Sequence, residues 1–166
     1  MSDALYMDDS YLKEWDAKVT RVSKDKFIVL DQTCFFPRGG GVEWDTGTMT
    51  RESDGEVFNV VYTGKFSWDI SHEVDQEGLQ QGDQVHCRLN WDRRYLLMRY
   101  HTATHVLSGV LFKEHGLKVT GNQLTTEKGR LDLDMKTLNA NLIQGAITES
   151  NHIIEKNLPV EIYYLS

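Results

Sequence analysis

The pattern of this chain changes period once, near Asn90, and that change limits the folds open to it. Before it, the segments Trp15 to Val22, Lys26 to Leu30, Thr46 to Thr50, Glu56 to Tyr62, Phe66 to Ile70 and Gln84 to Leu89 are rich in Val, Ile, Thr and aromatic residues, the composition of short strands. Turn formers at Ser23-Lys24-Asp25, Ser53-Asp54-Gly55, Thr63-Gly64-Lys65 and Gln81-Gly82-Asp83 separate them. Strands spaced this way predict a small, mostly antiparallel barrel or sandwich. From Trp91 to about His115, Tyr95, Leu96, Met98, Val106, Leu107, Val110 and Leu111 recur at intervals of three and four, which predicts a helix. A second helix is expected from Lys136 to Asn157, with strands at Leu117 to Val119, Gln123 to Thr126, Arg130 to Asp134 and Pro159 to Leu165. The expected class is α+β, with a barrel over residues 1–90 and a helix-and-sheet unit over 91–166.

Bulk properties narrow the function classes. At 166 residues and 40% hydrophobic, the chain can bury a real core in one large or two small units. No apolar run approaches bilayer length, and Met1-Ser2-Asp3-Ala4 has neither a basic nor an apolar leader region. Cys34 and Cys87 are too few for a disulfide framework and suit a reducing compartment. A cytoplasmic protein without a membrane partner is therefore expected. The net charge of -7 argues against general affinity for nucleic acid, because phosphate binding needs a concentrated positive surface. Arg88, Arg93, Arg94 and Arg99 nevertheless fall within twelve residues that hold one acid, Asp92. They form either a local phosphate-binding patch or the ordinary solvated start of a helix.

Within the first predicted helix, His101 and His105 are four residues apart, so both imidazoles lie on one face and could share a metal ion. The metalloprotease pattern of this spacing has a glutamate after the first histidine as general base. Thr102 stands there and cannot accept a proton near neutral pH, so protease chemistry loses its base. Taken alone, such a pair can also be structural, with ring nitrogens serving backbone groups. Cys87 is no obvious third ligand, because His86 and Cys87 are adjacent on a predicted strand and point to opposite faces.

The loop Asp31-Gln-Thr-Cys-Phe-Phe-Pro-Arg-Gly-Gly-Gly41 ends in three consecutive glycines, which permit close approach by a ligand or by another stretch of backbone at an ordering cost. It has no Walker spacing, and by composition alone a plain hairpin turn is the favoured reading.

The loop and the helix, taken in this order, resemble the AlaX family of free-standing relatives of the alanyl-tRNA synthetase editing domain, in its medium-length form with an N-terminal barrel. The likeness rests on Val29 to Gly41, Asp45-Thr46-Gly47, Arg99-Tyr-His-Thr-Ala-Thr-His-Val-Leu-Ser108, Thr120-Gly-Asn-Gln-Leu124 and Gly129-Arg-Leu-Asp132. Val42-Glu43-Trp44 departs from the family, which has a stretch resembling Gln-Pro-Ser-Asp after the glycines. The resemblance implies a barrel followed by an incomplete α/β-sandwich editing domain that carries the His-x-x-x-His helix. It also implies ATP-independent hydrolysis of mischarged alanine tRNA, chiefly Ser-tRNA and also Gly-tRNA, at a zinc site held by His101, His105 and a Cys-x-x-x-His pair. That pair is expected past Ser166, which would make this chain a truncated, inactive piece. Thr33 is the expected reader of the serine hydroxyl, against the alternative that it bonds its own loop. Gln123 is expected to line the pocket, with Gly39, Gly40, Gly41, Arg93 and Arg94 contacting tRNA. The competing class is a tRNA-binding module that has lost the zinc site.

Overall fold

The computed structural model describes residues 2–66, 68–137 and 139–161. In chain order its elements are β1 (Asp3–Ala4), β2 (Glu14–Ser23), β3 (Phe27–Leu30), β4 (Gln32–Thr33), β5 (Gly47–Arg51), β6 (Val57–Phe66), β7 (Asp69–Val74) and β8 (Gln84–Leu89), then α1 (Trp91–His115), β9 (Val119–Leu124), β10 (Gly129–Leu133) and α2 (Ala140–Glu155). The fold is α+β, as its period change predicts.

Six strands close into a barrel in the order β2-β3-β7-β6-β5-β8, every adjacent pair antiparallel. Strict alternation aims Trp15, Ala17 and Val19 of β2 and Val85, Cys87 and Leu89 of β8 inward, where they join Ile28, Phe35, Met49 and Phe58 in one continuous core. The expected turn at Thr63-Gly64-Lys65 is instead the interior of β6. A Cβ on Gly64 would lie 2.6 Å from the Tyr62 ring and 3.0 Å from that of Phe66, so glycine here makes room for two rings within an unbroken strand. The antiparallel pairing of β6 with β7 sets Phe66 opposite Asp69.

Helix α1 spans the predicted residues because both its ends are chemically marked. The Asn90 side chain accepts the Arg93 N–H, and Gly116, at φ +67°, donates to Phe112 while Leu117 donates to Leu111, a left-handed cap that ends the helix. The two strands expected at 117–119 and 123–126 are a single strand, β9, paired antiparallel with β10. The second helix begins at Ala140 rather than Lys136, because Asn139 caps it through the Leu142 N–H. Of the strand expected from Pro159 to Leu165, residues 159–161 lie outside any regular element and residues 162–166 outside those described. Val110, Leu111 and Ala146 form a second, smaller core between α1 and α2. Val42, Leu97 and Leu124 form a seam joining the glycine loop, α1 and β9. Among the described residues no helix is long and apolar enough to cross a membrane.

Candidate functional site

His101 and His105 lie on one face of α1, with their Nε2 atoms 3.2 Å apart and their rings 4.8 Å apart. Two imidazole nitrogens on a tetrahedral zinc, each at about 2.0–2.1 Å, are separated by about 3.3 Å, so the pair fits two ligand positions of such an ion. Partial burial, followed by the neighbouring His105, holds the His101 imidazole below its ordinary pKa, which favours the neutral form that binds metal. Among the described residues no third His, Cys, Asp or Glu completes a group with them. Neither cysteine is near that role. Both are buried in the barrel core, and burial pushes the Cys34 thiol up to about 11 and the Cys87 thiol higher still. A cavity of about 220 Å³ opens beside His101, lined among others by Tyr6, Phe36, Val42, Leu97 and Met98, with Arg94 and Asp45 also on its wall.

Arg94 and Arg93 hold α1 to the barrel. The Arg94 side chain is buried at 5% exposure. Its Nε donates to Asp45 Oδ2 at 2.9 Å, and its remaining nitrogens donate to Asp45 and to the carbonyls of Ser10 and Cys34. Asp45, 2% exposed, also accepts the Phe36 N–H at 2.7 Å, so its charge is both paired and hydrogen-bonded. Arg93 donates to the Trp44 carbonyl at 2.9 Å and to Glu43 at 2.8 Å. Arg94 thus has every guanidinium nitrogen engaged inside the protein, and Arg93 has two of its three, so neither is presented as the open cation that the expectation of tRNA contact assumed. Nor do they form a solvated helix start. Arg88 and Arg99, from the same cluster, do remain exposed.

Thr33, expected to read the serine hydroxyl, lies on β4 and outside the walls of the cavity beside His101. It is fully buried, and its hydroxyl lies 2.9 Å from His72 Nε2 and accepts the Phe35 N–H at 3.1 Å, the loop bond that the alternative reading expected. His72 is equally buried, and its Nδ1 is 2.9 Å from the Ile28 carbonyl. Burial holds its pKa down to about 4. The signal for an inward His72 was present in β7, where Ile70, His72 and Val74 share one face.

The glycine loop is a tight hairpin closed by reciprocal bonds between Gly39 and Val42. Another piece of backbone approaches it: Leu124 donates to the Gly41 carbonyl and Glu43 donates to Leu124. Gly41, at φ +79°, lies where a Cβ would fall 1.7 Å from Asn122 Oδ1. That oxygen is buried without a hydrogen-bond partner among the described residues. Gly39, Gly41 and Gln123 are brought together on the walls of one cleft of about 690 Å³, whereas His101 lines the other cavity.

Comparison with known proteins decides the family. Residues 7–93 match the family of class II (A) tRNA synthetases. An alanyl-tRNA editing protein AlaX-M of Methanosarcina barkeri is 46% identical over 170 residues, covering 100% of this chain and 70% of its own length. The chain belongs to the AlaX-M family of alanyl-tRNA editing proteins. The AlaX-M protein of Saccharolobus solfataricus is 36% identical, with 99% of this chain and 69% of that protein covered. The likeness extends to the alanine–tRNA ligase of Pyrococcus furiosus, 39% identical over 97% of this chain but only 18% of that much larger enzyme. AlaX-M membership thus accounts for the barrel, glycine hairpin and histidine helix occurring together and in this order.

Proposed function

We propose that this protein takes part in editing of alanine tRNA as a hydrolase, cleaving the ester of tRNA that carries serine or glycine in place of alanine. The observation that carries this reading is the convergent pair His101 and His105, beside a cavity, on a helix locked to the glycine-hairpin barrel in a member of the AlaX-M family. A synthetase pocket built for a methyl group rejects a small addition poorly, so accuracy calls for a second sieve. His101 and His105 would hold zinc, and a bound zinc supplies Lewis-acid charge. The protein's own residues do the rest. Tyr6, Phe36, Leu97 and Met98 offer apolar walls for the terminal nucleoside, and the Arg94–Asp45 pair fixes α1 so that His101 stands on that cavity's wall with His105 one turn further along.

The test is deacylation of alanine tRNA charged with serine, glycine or alanine, with and without a chelator. In a protein that also carries the expected Cys-x-x-x-His pair, the serine and glycine esters should be cleaved and the alanine ester spared, with turnover lost on metal removal and in His101→Ala, whereas residues 1–166 alone should take up zinc poorly and leave all three esters intact. Equal cleavage of all three esters would defeat the reading. Binding of tRNA without cleavage by the protein that carries that pair would make it a tRNA-binding module instead.

A further inference from the structure

The three glycines of the hairpin do not have the same reason to be glycine. Gly41 is fixed by its positive φ and by Asn122 against its Cα, and Gly40 by its φ of +60°. Gly39 has neither constraint: its φ is not in the left-handed region, and a Cβ there would meet only the Pro37 carbonyl, at an ordinary 3.7 Å. The fold does not require a bare backbone at this position, yet the position is bare.

Gly39 lines the cleft between the hairpin and the β9–β10 pair. Beside it, Arg38 is exposed, and its guanidinium has no ion-pair or hydrogen-bond partner among the described residues, only its backbone N–H being used, by the Thr63 carbonyl. On the facing wall Arg130 stands in register with Gln123 on the neighbouring strand, so their side chains share a face. Of these two cations Arg38 is the unpaired one among the described residues, while Arg130 shares its charge with Asp132. Glu43, the acid on its wall, is held by Arg93 at 2.8 Å, and the Asp132 that pairs with Arg130 at 2.9 Å is not among the lining residues. The cleft thus offers one unpaired guanidinium, a second that a phosphate can draw from its exposed pairing with Asp132, and a side-chain amide, around a backbone with nothing projecting from it, the chemistry that fits a sugar–phosphate chain.

We propose that this cleft is where the phosphate backbone of the partner RNA lies, with Arg38 and Arg130 on its phosphates, Gln123 beside them, and Gly39 kept bare so that the strand rests on the hairpin. The proposal rests on the reading of the protein as one that binds tRNA. It moves the electrostatic contact from Arg93 and Arg94 to Arg38 and Arg130, and it explains how a chain of net charge -7 holds a polyanion through a local site.

The experiment is fluorescence-anisotropy titration of the whole chain with an alanine tRNA transcript over a range of salt concentrations. Wild type is compared with Arg38→Gln, Arg130→Gln, Gly39→Ala and Gly41→Ala, and each variant's melting temperature is measured alongside. Each arginine variant should raise the Kd about tenfold and lower the salt slope by about 1, with an unchanged melting temperature. Gly39→Ala should weaken binding while melting like wild type, whereas Gly41→Ala should melt lower. Unchanged affinity and salt slope in both arginine variants, with wild type binding, would overturn the cleft and leave the tRNA reading standing. A Gly39→Ala variant that melts as low as Gly41→Ala would overturn the role given to Gly39. Absence of tRNA binding by wild type at low salt would overturn the reading itself, and the cleft with it.

Discussion

The first two turns of α1 and the turn that carries its histidines are built to opposite ends. In the first, Arg94 and Leu97 are buried and Arg93 is tied to the segment after the glycine hairpin. In the second, His101 and His105 are exposed and hydrogen-bonded to each other. The contrast teaches that the chain fixes the helix where it leaves the barrel and keeps the histidine turn free of structural duty, so stability and chemistry should be separable by substitution along a single element.

The largest effect is expected at the fixed end. Asp45→Ala strands the Arg94 guanidinium in a buried site and leaves the Phe36 N–H unanswered, which should cost about 3–5 kcal/mol of unfolding free energy in urea denaturation. A cost no larger than that of an exposed substitution would erase the contrast.

A second test asks whether acid acts on the barrel rather than on the histidine face. His72, with a folded pKa of about 4 against an ordinary 6.5, binds its proton in the unfolded chain over a range where the folded protein excludes it. Its contribution is therefore complete above about pH 6.5 and is lost as pH falls toward 4, amounting to about 3 kcal/mol. Denaturation curves across this window should show the decline, and His72→Gln should flatten it. An equal slope in the variant would place the acid sensitivity elsewhere.

A smaller loss is expected for Gly41→Ala, about 2 kcal/mol from the positive φ together with the displaced Asn122, read from the same denaturation. The smallest sharpens the comparison most. His101→Ala should change stability by less than about 0.5 kcal/mol while removing zinc uptake measured by equilibrium dialysis. A large loss of stability there would show that the histidine turn is structural after all.

What sequence reading could and could not see follows the range of the interactions. Both ends of α1 were legible, because Asn90 and Gly116 act within a few residues of themselves, and the barrel strands were legible because alternation is local. Gly64 misled because glycine in a strand has the same local signature as glycine in a turn, and only the rings of Tyr62 and Phe66 distinguish the two. Arg94 misled for a different reason: its partner Asp45 lies 49 positions away, so composition around Arg94 records its charge but not its burial. Thr33 and His72, 39 apart, are the same case. The resemblance supplied the glycine hairpin and the histidine pair as a set, and the geometry then divided them between two openings.

Leu89 ends β8 and Trp91 begins α1, with Asn90 alone between them and its N–H bonded to the Thr46 carbonyl at 2.8 Å. A strand that passes into a helix through one residue behaves as a rigid arm clamped at its base. At 1.5 Å of rise per residue, His101 stands about 15 Å along that arm, so a tilt of about 4° at the clamp would sweep its ring by about 1 Å, a misplacement that can cost about a hundredfold in rate. The aim of the imidazoles is thus set at a distance, by the backbone pairing of a barrel rim that never touches them.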